Sequence, residues 1–502
     1  MSGACGMLVV GVLVGCAGVT NEPRRRASVS AEVVIAAPES VKRPPYRFAE
    51  ADERLLDEIQ HGAFLFMWRE CSPTTGMVVD RSSVTYSSAA GVGFQLAGLP
   101  VGVERGWVRR DEAEERAVKI LKSLSDNPEN RKAGLFYHYL TGEDASPVRQ
   151  DVVSTIDSAL LFAGILTAGS YFGGEVRERG DELVAAADWS FFVERSPRPH
   201  EPHMKGYISL GWQPREWSEP TGEGDLKRYY WADSGDEHRL VTLLAIAAPI
   251  ESHRAEPSLY YRLRRPLGEY KGTGLMVYLP WSGALFTAFF AHCFIDYARM
   301  GTDDPGRLGV GRRPKVDWWE NSRRHVELHR IKAMEARKRF PTFGPNAWGL
   351  TACDSPRGYS VPGVYPDAVV MSDMINDIDY PVWKPRDDFG DGTVAPYGAG
   401  CAIMFEPEKA VAALRHYRSL KDGDGKPLVW RDPAGASERE GAGFKDAFLL
   451  PEGWVAEDYV AIDQGPLLLA IENARTGRVW GWFHEHPIVR EGLRRAGIDH
   501  PQ

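Results

Sequence analysis

Several signatures of familiar chemistry are missing from these 502 residues. No G-x-S-x-G elbow, P-loop, G-x-G-x-x-G or H-E-x-x-H occurs, which removes the usual serine-hydrolase, nucleotide and zincin readings. Basic blocks are scarce as well. Apart from Arg24-Arg25-Arg26, the 60 Lys and Arg are scattered among 69 Asp and Glu, and the formal net charge is -9, so a nucleic-acid footprint is excluded. Cysteine is rare: beyond residue 16 only Cys71, Cys293, Cys353 and Cys401 occur, at spacings that fit no zinc site, and too few for a disulfide scaffold. They read as buried small hydrophobes.

What is present is a globular composition, 43% hydrophobic and 26% charged, with 15 Trp and 19 Tyr. Flat aromatic faces suit ligands with apolar C–H surfaces, sugars among them, and an uncharged small partner suits the charge balance. At the N-terminus, "MLVVGVLVG" (residues 7–15) is too short to span a bilayer and right for the apolar region of a signal peptide. It ends in Leu13-Val14-Gly15-Cys16, which resembles a bacterial lipobox with Cys16 as the lipidated residue. This predicts a signal peptide over 1–15, a tether over 16–48, one domain over 49–502, and a location in the bacterial cell envelope with the membrane reached only through the lipid.

From about residue 50 the pattern is helix after helix. "FAEADERLLDEIQHGAFLFMWREC" sets Leu55, Ile59, Ala63, Phe66 and Met67 on one face. Further helices are predicted in "RRDEAEERAVKILKSL", "VSTIDSALLFAGILTAGSYF", "VRERGDELVAAADWSFFVER", "DEHRLVTLLAIAA", "SGALFTAFFAHCFIDYARM", "VDWWENSRRHVELHRIKAMEARKRF", "EPEKAVAALRHYRSL", "DQGPLLLAIENARTG" and "PIVREGLRRAG". Several are apolar all round and must be buried on both sides. Strand signals are short. The fold class is therefore all-α, and a double ring of helical hairpins with long loops on one face buries so many helices economically.

Candidate chemistry rests on carboxylates beside aromatics or at loop edges. Hydrolysis of a glycosidic bond needs two carboxyls, one protonated to assist the leaving oxygen and one ionised to activate water or attack the sugar. The candidates are Asp157, Glu237, Asp354, Asp391, Asp446, and Asp463 with Glu472. Ser234-Gly235-Asp236-Glu237 also fits a capping box, which would employ Glu237 structurally. Asp157 inside an apolar helix serves function or an ion pair, Asp391 suits a Gly-rich turn, Asp463 suits an N-cap, and Glu472 suits an i, i+3 pair with Arg475. "HVELH" (His325 to His329) reads as a solvated helix face and "KDGDGK" as a hairpin turn, so neither is read as a metal site.

The segments "GVGFQLAGLPVGVERGW", "GLFYHYL", "VSTIDSALLFAGIL", "WWENSRR", "NAWGLTACDSPRGY", "DGTVAPYGAG", "EPEKAVAALRHYR", "GFKDAF" and "AIDQGPLLLAIENARTG", in this order, resemble the bacterial glucoamylase-like domain family, whose characterised enzymes are endo-β-1,2-glucanases of glycoside hydrolase family 144. The resemblance implies an (α/α)6 toroid, no cofactor, and inverting hydrolysis of β-1,2-glucan to sophorose-type oligosaccharides. It implies Glu237 as general acid. The reading built on it makes Asp446 the partner that activates water and Asp157 a substrate ligand or alternative base. Trp107, Trp231 and Trp348 become stacking platforms, and Asp354, Asp391 and Arg105 further substrate contacts. The enzyme is expected to act as a monomer. A related transglycosylase or glycosidase on another glucan, and a silent glycan-binding lipoprotein, are the alternatives.

Overall fold

In this computed structural model, the described residues are 34–498 apart from 200, 279–281, 311–312, 372–373, 376–377, 380–385 and 433–441. The expected signal peptide and Cys16 lie outside them. Helices form where the apolar periodicity predicts them at α1 (Glu50–Arg69), α3 (Arg110–Asp126), α4 (Thr155–Phe172), α5 (Gly174–Ala185), α6 (Asp236–Ala247), α7 (Trp318–Ala336), α9 (Pro407–Ser419), α10 (Ala461–Arg475) and α12 (Pro487–Arg495), while α2 (Ala89–Glu104), the short α8 (Pro396–Cys401) and α11 (Arg478–Glu485) form where no helix is predicted. Strands are two to four residues long and pair within the loops.

The helices that are apolar all round build the inner ring. α2 packs against α4 on one side and α10 on the other, α4 against α6, and α8 against α10. Residues 285–293 close the circle, touching α6 on one side and α8 through Phe289 and Tyr397, whose rings are 6.0 Å apart. The amphipathic helices, such as α1, α3, α5, α7 and α9, lie outside and return the chain, so every inner helix runs in the same direction. This is the (α/α)6 toroid. α4 is long and apolar enough to cross a membrane, yet most of it is buried as an inner-ring helix.

The closest helix approach is dictated by glycine. α2 and α4 meet at Gly93 and Gly164, where a Cβ on Gly164 would stand 1.9 Å from the Gly93 carbonyl oxygen. Any larger residue would force the two backbones apart.

The helix predicted over "SGALFTAFFAHCFIDYARM" is the main departure. Residues 285–293 form two 3-10 turns, Leu285–Ala288 and Ala291–Cys293, and only Tyr297–Met300 is α-helical. The cause is competition for backbone groups. The His292 N–H, which an α-helix would give to its fourth predecessor, donates to Asp236 Oδ2 at 3.1 Å. Trp480 takes the His292 carbonyl at 2.6 Å and Asn473 takes that of Cys293 at 2.9 Å. The side chains of other elements outbid the helical ladder for these groups.

Part of the expected tether is packed. Val34–Ile35 pairs in parallel with Lys315–Val316, and Ile35 is fully buried. Arg43 donates to the Ala298 carbonyl at 2.6 Å and forms an ion pair with Asp317. The Tyr46 N–H donates to Ala474 at 2.7 Å and its hydroxyl to Met404 at 3.0 Å. These carbonyls belong to the C-terminal ends of inner-ring segments, whose last C=O groups lack helical partners. Residues 34–48 are thus a strap that satisfies them, which the polar, aperiodic sequence does not announce.

Candidate active site

Because the inner helices are parallel, their N-termini open on one face, and the partial positive charge of each favours an acid in its first turn. Asp157 on α4, Asp236 and Glu237 on α6, and Asp463 on α10 all occupy such positions. The loops knit these starts together: Ala461 donates to Asp80 at 2.8 Å, Ala89 to His138 at 2.8 Å, and the Trp231 indole to Thr155 Oγ1 at 2.7 Å.

The capping box at Ser234 does not form. Gly235 is the N-cap of α6 and makes no side-chain cap bond. Ser234 Oγ instead donates to the Leu263 carbonyl at 3.2 Å. The three acids of this stretch then separate cleanly. Asp233 forms an ion pair with Arg264 at 2.6 Å. Asp236 accepts from His292 Nδ1 at 2.9 Å and is paired with Arg239. Burial pushes the Asp236 carboxyl up, but His292 and Arg239 together hold it below the ordinary value. Glu237 has no hydrogen bond or ion pair among the described residues and is 8% exposed. Burial, with repulsion from Asp157 and Asp236, pushes its pKa up to about 8, so it is protonated at neutral pH.

Asp157 sits at the edge of a second group. Ser154 Oγ accepts from the Asp157 N–H at 3.3 Å and donates to its carboxylate. His138 stands between Asp157, 3.7 Å away, and Asp151, 4.0 Å away, with its ring stacked on Tyr139 at 3.9 Å. Burial pulls the His138 pKa down, but Asp157, Asp151 and Asp80 outweigh it and raise it overall. Asp151 itself is pushed up to about 6 by burial, against the pull of His138.

Asp446 lies in the loop between Gly443–Phe444 and Phe448–Leu449 and is buried. It accepts the Asp354 N–H at 2.7 Å, while the Asp354 carboxylate holds Arg81 at 2.9 Å. Asp354 therefore contacts Asp446 through its backbone and anchors a cation with its side chain. Burial raises the Asp446 carboxyl above the usual range. Tyr359, 47% exposed, connects the two halves of the site: its phenol is pushed up by its crowded surroundings and by Cys353, Asp446, Asp463 and Glu237.

Other expected site residues lie elsewhere. Arg105 and Trp107 follow the far end of α2, about 24 Å along the helix from its start by the ordinary rise per residue. Arg105 pairs with buried Glu472 at 2.7 Å, and Trp107 stacks on His61 at 4.8 Å. Glu472 consequently does not pair with Arg475, which binds Glu53 and Asp57 instead. Trp348 is 1% exposed and part of the core, so it offers no platform. Trp231 borders the site but is also buried, its ring edge-on to His238 at 4.7 Å. Asp391 is occupied by Arg357 at 2.6 Å and by the Thr393 N–H at 3.1 Å, the structural role a Gly-rich turn suggests.

His325 and His329 are not on a solvated face. They point inward from α7, their rings 4.8 Å apart, and His329 Nε2 lies 2.9 Å from the Gly283 carbonyl. The basic residues of that helix do not mark a solvated face either: Lys332 is buried and paired with Asp367 and Asp387, and Arg323 and Arg324 are half-buried on Glu320. "KDGDGK" is the expected turn, with the Asp422 N–H bonded to Lys426 at 2.8 Å. Among the described residues no group of three His, Cys, Asp or Glu could hold a metal ion. All four described cysteines are unpaired, and Cys293, Cys353 and Cys401 are buried. A cavity of about 250 Å³ lined by Trp68, Arg69, Arg116 and Lys119 lies on the outer helices rather than among the carboxylates.

Sequence reasoning passed over His138, Asp80 and Tyr359, which carry no motif of their own, and gave Asp463 a capping role. The signal available for His138 was its place in "GLFYHYL", between aromatic residues, close in sequence to Asp151.

A chain from Parabacteroides distasonis, an exo β-1,2-glucooligosaccharide sophorohydrolase acting at the non-reducing end, is 25% identical over 88% of this chain, which spans 58% of that relative's length. A Bacteroides uniformis protein described as a "putative glucoamylase" has a similar structure, with a TM-score of 0.68, 26% identity, and coverage of 90% of this chain and 98% of its own. The endo-β-1,2-glucanase of Chitinophaga pinensis, solved with sophorotriose and glucose, shares the fold at a TM-score of 0.67 and 23% identity, over 89% of this chain and 98% of its own. Residues 228–487, just over half of the chain and including Glu237, Asp446 and Asp463, match the glycoamylase family model, described as "Putative glucoamylase", and the chain belongs to that family.

Proposed function

We propose that this protein is a glycoside hydrolase that cleaves internal β-1,2-glucosidic bonds of a β-glucan with inversion, releasing sophorose-type oligosaccharides. The observation that carries the reading is Glu237. It is a carboxyl at the open face of the inner ring with no structural partner among the described residues, kept protonated at neutral pH by burial and by neighbouring acids. That is the state a general acid needs to protonate a leaving glycosidic oxygen. Asp446, supported by the Asp354 N–H, serves as the base that takes a proton from water. Asp157, whose charge acts on Glu237, and His138 beside Asp157 face the sugar on that side.

The names of the relatives support β-1,2-glucan as substrate. The sophorohydrolase relative also favours a second reading, exo attack from the non-reducing end, and chain length of the first products separates the two. The lipobox-like Leu13 to Cys16 supports a lipid-anchored enzyme of the cell envelope. Incubation of wild type and Glu237→Gln with linear β-1,2-glucan tests the assignment. Wild type should yield short oligosaccharides and the variant none, whereas turnover by the variant would return Glu237 to a structural role.

A further inference from the structure

Asp463 stands in the first turn of α10, where a short acid ordinarily caps the helix. It does not cap. Val460 is the N-cap, with no side-chain bond, and Asp463 is 4% exposed. Its Oδ2 is buried with no hydrogen-bond partner among the described residues, and its carboxyl lies against that of Asp446, within reach of a shared hydrogen bond.

Two ionised carboxylates offer no donor to each other, so a buried pair in hydrogen-bond contact must hold a proton between them. The surroundings decide where it resides. Asp446 accepts the Asp354 N–H at 2.7 Å, which favours its negative charge. Asp463 Oδ2 takes no donor among the described residues, and its carboxyl lies near Asp354, Cys353, Tyr359, Tyr397 and Cys401, with the Arg81 cation near both acids. Burial and the Asp446 charge both drive the Asp463 carboxyl well above its ordinary range, in agreement with the geometry.

We propose that Asp463 is a positioning residue that keeps a proton throughout turnover and donates it to the Asp446 carboxylate, holding that base ionised and aimed. The proposal rests on the hydrolase reading above. In the step itself, the water oxygen bonds to the anomeric carbon as the glycosidic bond breaks. One water proton passes to Asp446, the Glu237 proton goes to the leaving oxygen, and Asp463 retains its own.

The test compares Asp463→Asn and Asp463→Ala with wild type, each checked for folding by circular dichroism. An Asn amide still donates a hydrogen bond, whereas Ala does not. Asp463→Asn should keep activity on linear β-1,2-glucan within about tenfold of wild type, and Asp463→Ala should lose about tenfold to hundredfold, the worth of a hydrogen bond to a charged group. The acidic limb of kcat/KM should move upward in Asp463→Ala only. An Asn variant as inactive as the Ala variant, or an acidic limb that Ala leaves in place, overturns the proposal. Infrared difference spectra give an answer independent of activity. At pH 6, Asp463→Asn should lack one protonated carboxyl that wild type shows, and identical spectra overturn the shared proton. A wild type that cleaves no glucan defeats the hydrolase reading, while the infrared result still decides the dyad.

Discussion

Asp236 and Glu237 are consecutive residues in the first turn of α6, yet Asp236 is tied to both His292 and Arg239 while Glu237 is tied to nothing among the described residues. One carboxylate holds the ring together and its neighbour is left without a partner among the described residues. The division follows from the helical step, which turns adjacent side chains by about 100° so that one faces the 285–293 turns and the other the open face.

Glu237→Gln should therefore abolish glucan cleavage and stabilise the fold. The folded-state pKa is raised from 4.5 to about 8, so the unfolded chain ionises first and Glu237 destabilises the protein progressively as pH rises between those values. At pH 7 the difference is on the order of 3 kcal/mol. Thermal unfolding should show the variant melting above wild type at pH 8, with the gap closing near pH 4. An equal melting temperature at both pH values would mean that Glu237 is not held protonated.

Asp236→Ala should act in the opposite direction. It leaves the Arg239 guanidinium and His292 buried without their acid, a change that costs roughly 3–5 kcal/mol. Denaturant midpoints would measure it, and Asp236→Asn, which can still accept from His292, should lose less.

The pH dependence of kcat/KM should be bell-shaped. Its alkaline limb should fall near pH 8 as Glu237 ionises, since the acid must carry a proton. Its acidic limb should belong to the Asp446 and Asp463 pair, since the base must be ionised, and should lie above the range of an ordinary aspartate because burial raises that group. A profile flat through pH 9 would contradict the role given to Glu237.

The tryptophans should divide by position. Trp348→Ala empties a core site and should cost about 3–5 kcal/mol of stability. Trp107→Ala, at the end of α2 away from the carboxylates, should leave KM for glucan unchanged. A large rise in KM for Trp107→Ala would place substrate at the other end of the ring.

These outcomes bear on what a sequence reveals. Helices such as α4 and α10 were legible because an unbroken apolar surface has few other uses than an inner ring, and the position of Glu237 at the start of α6 was legible from the apolar run that follows it. The capping box at Ser234 was a correct local pattern that lost to a tertiary bond with Leu263. Residues 285–293 read as helix because periodicity cannot show that Asp236, Asn473 and Trp480 will claim their backbone groups. Asp463 looked like a cap because its partner Asp446 comes from a different loop. Arg105, Trp107 and Trp348 were assigned by residue type, and type does not say which end of a helix a residue occupies or whether it is buried.

The most direct test is proton NMR of linear β-1,2-glucan in the first minutes after enzyme addition, with Glu237→Gln as control. The account predicts short β-1,2-linked products whose new reducing ends appear first in the α configuration, and no change with the variant. New reducing ends of β configuration, or cleavage that persists in Glu237→Gln, would contradict it.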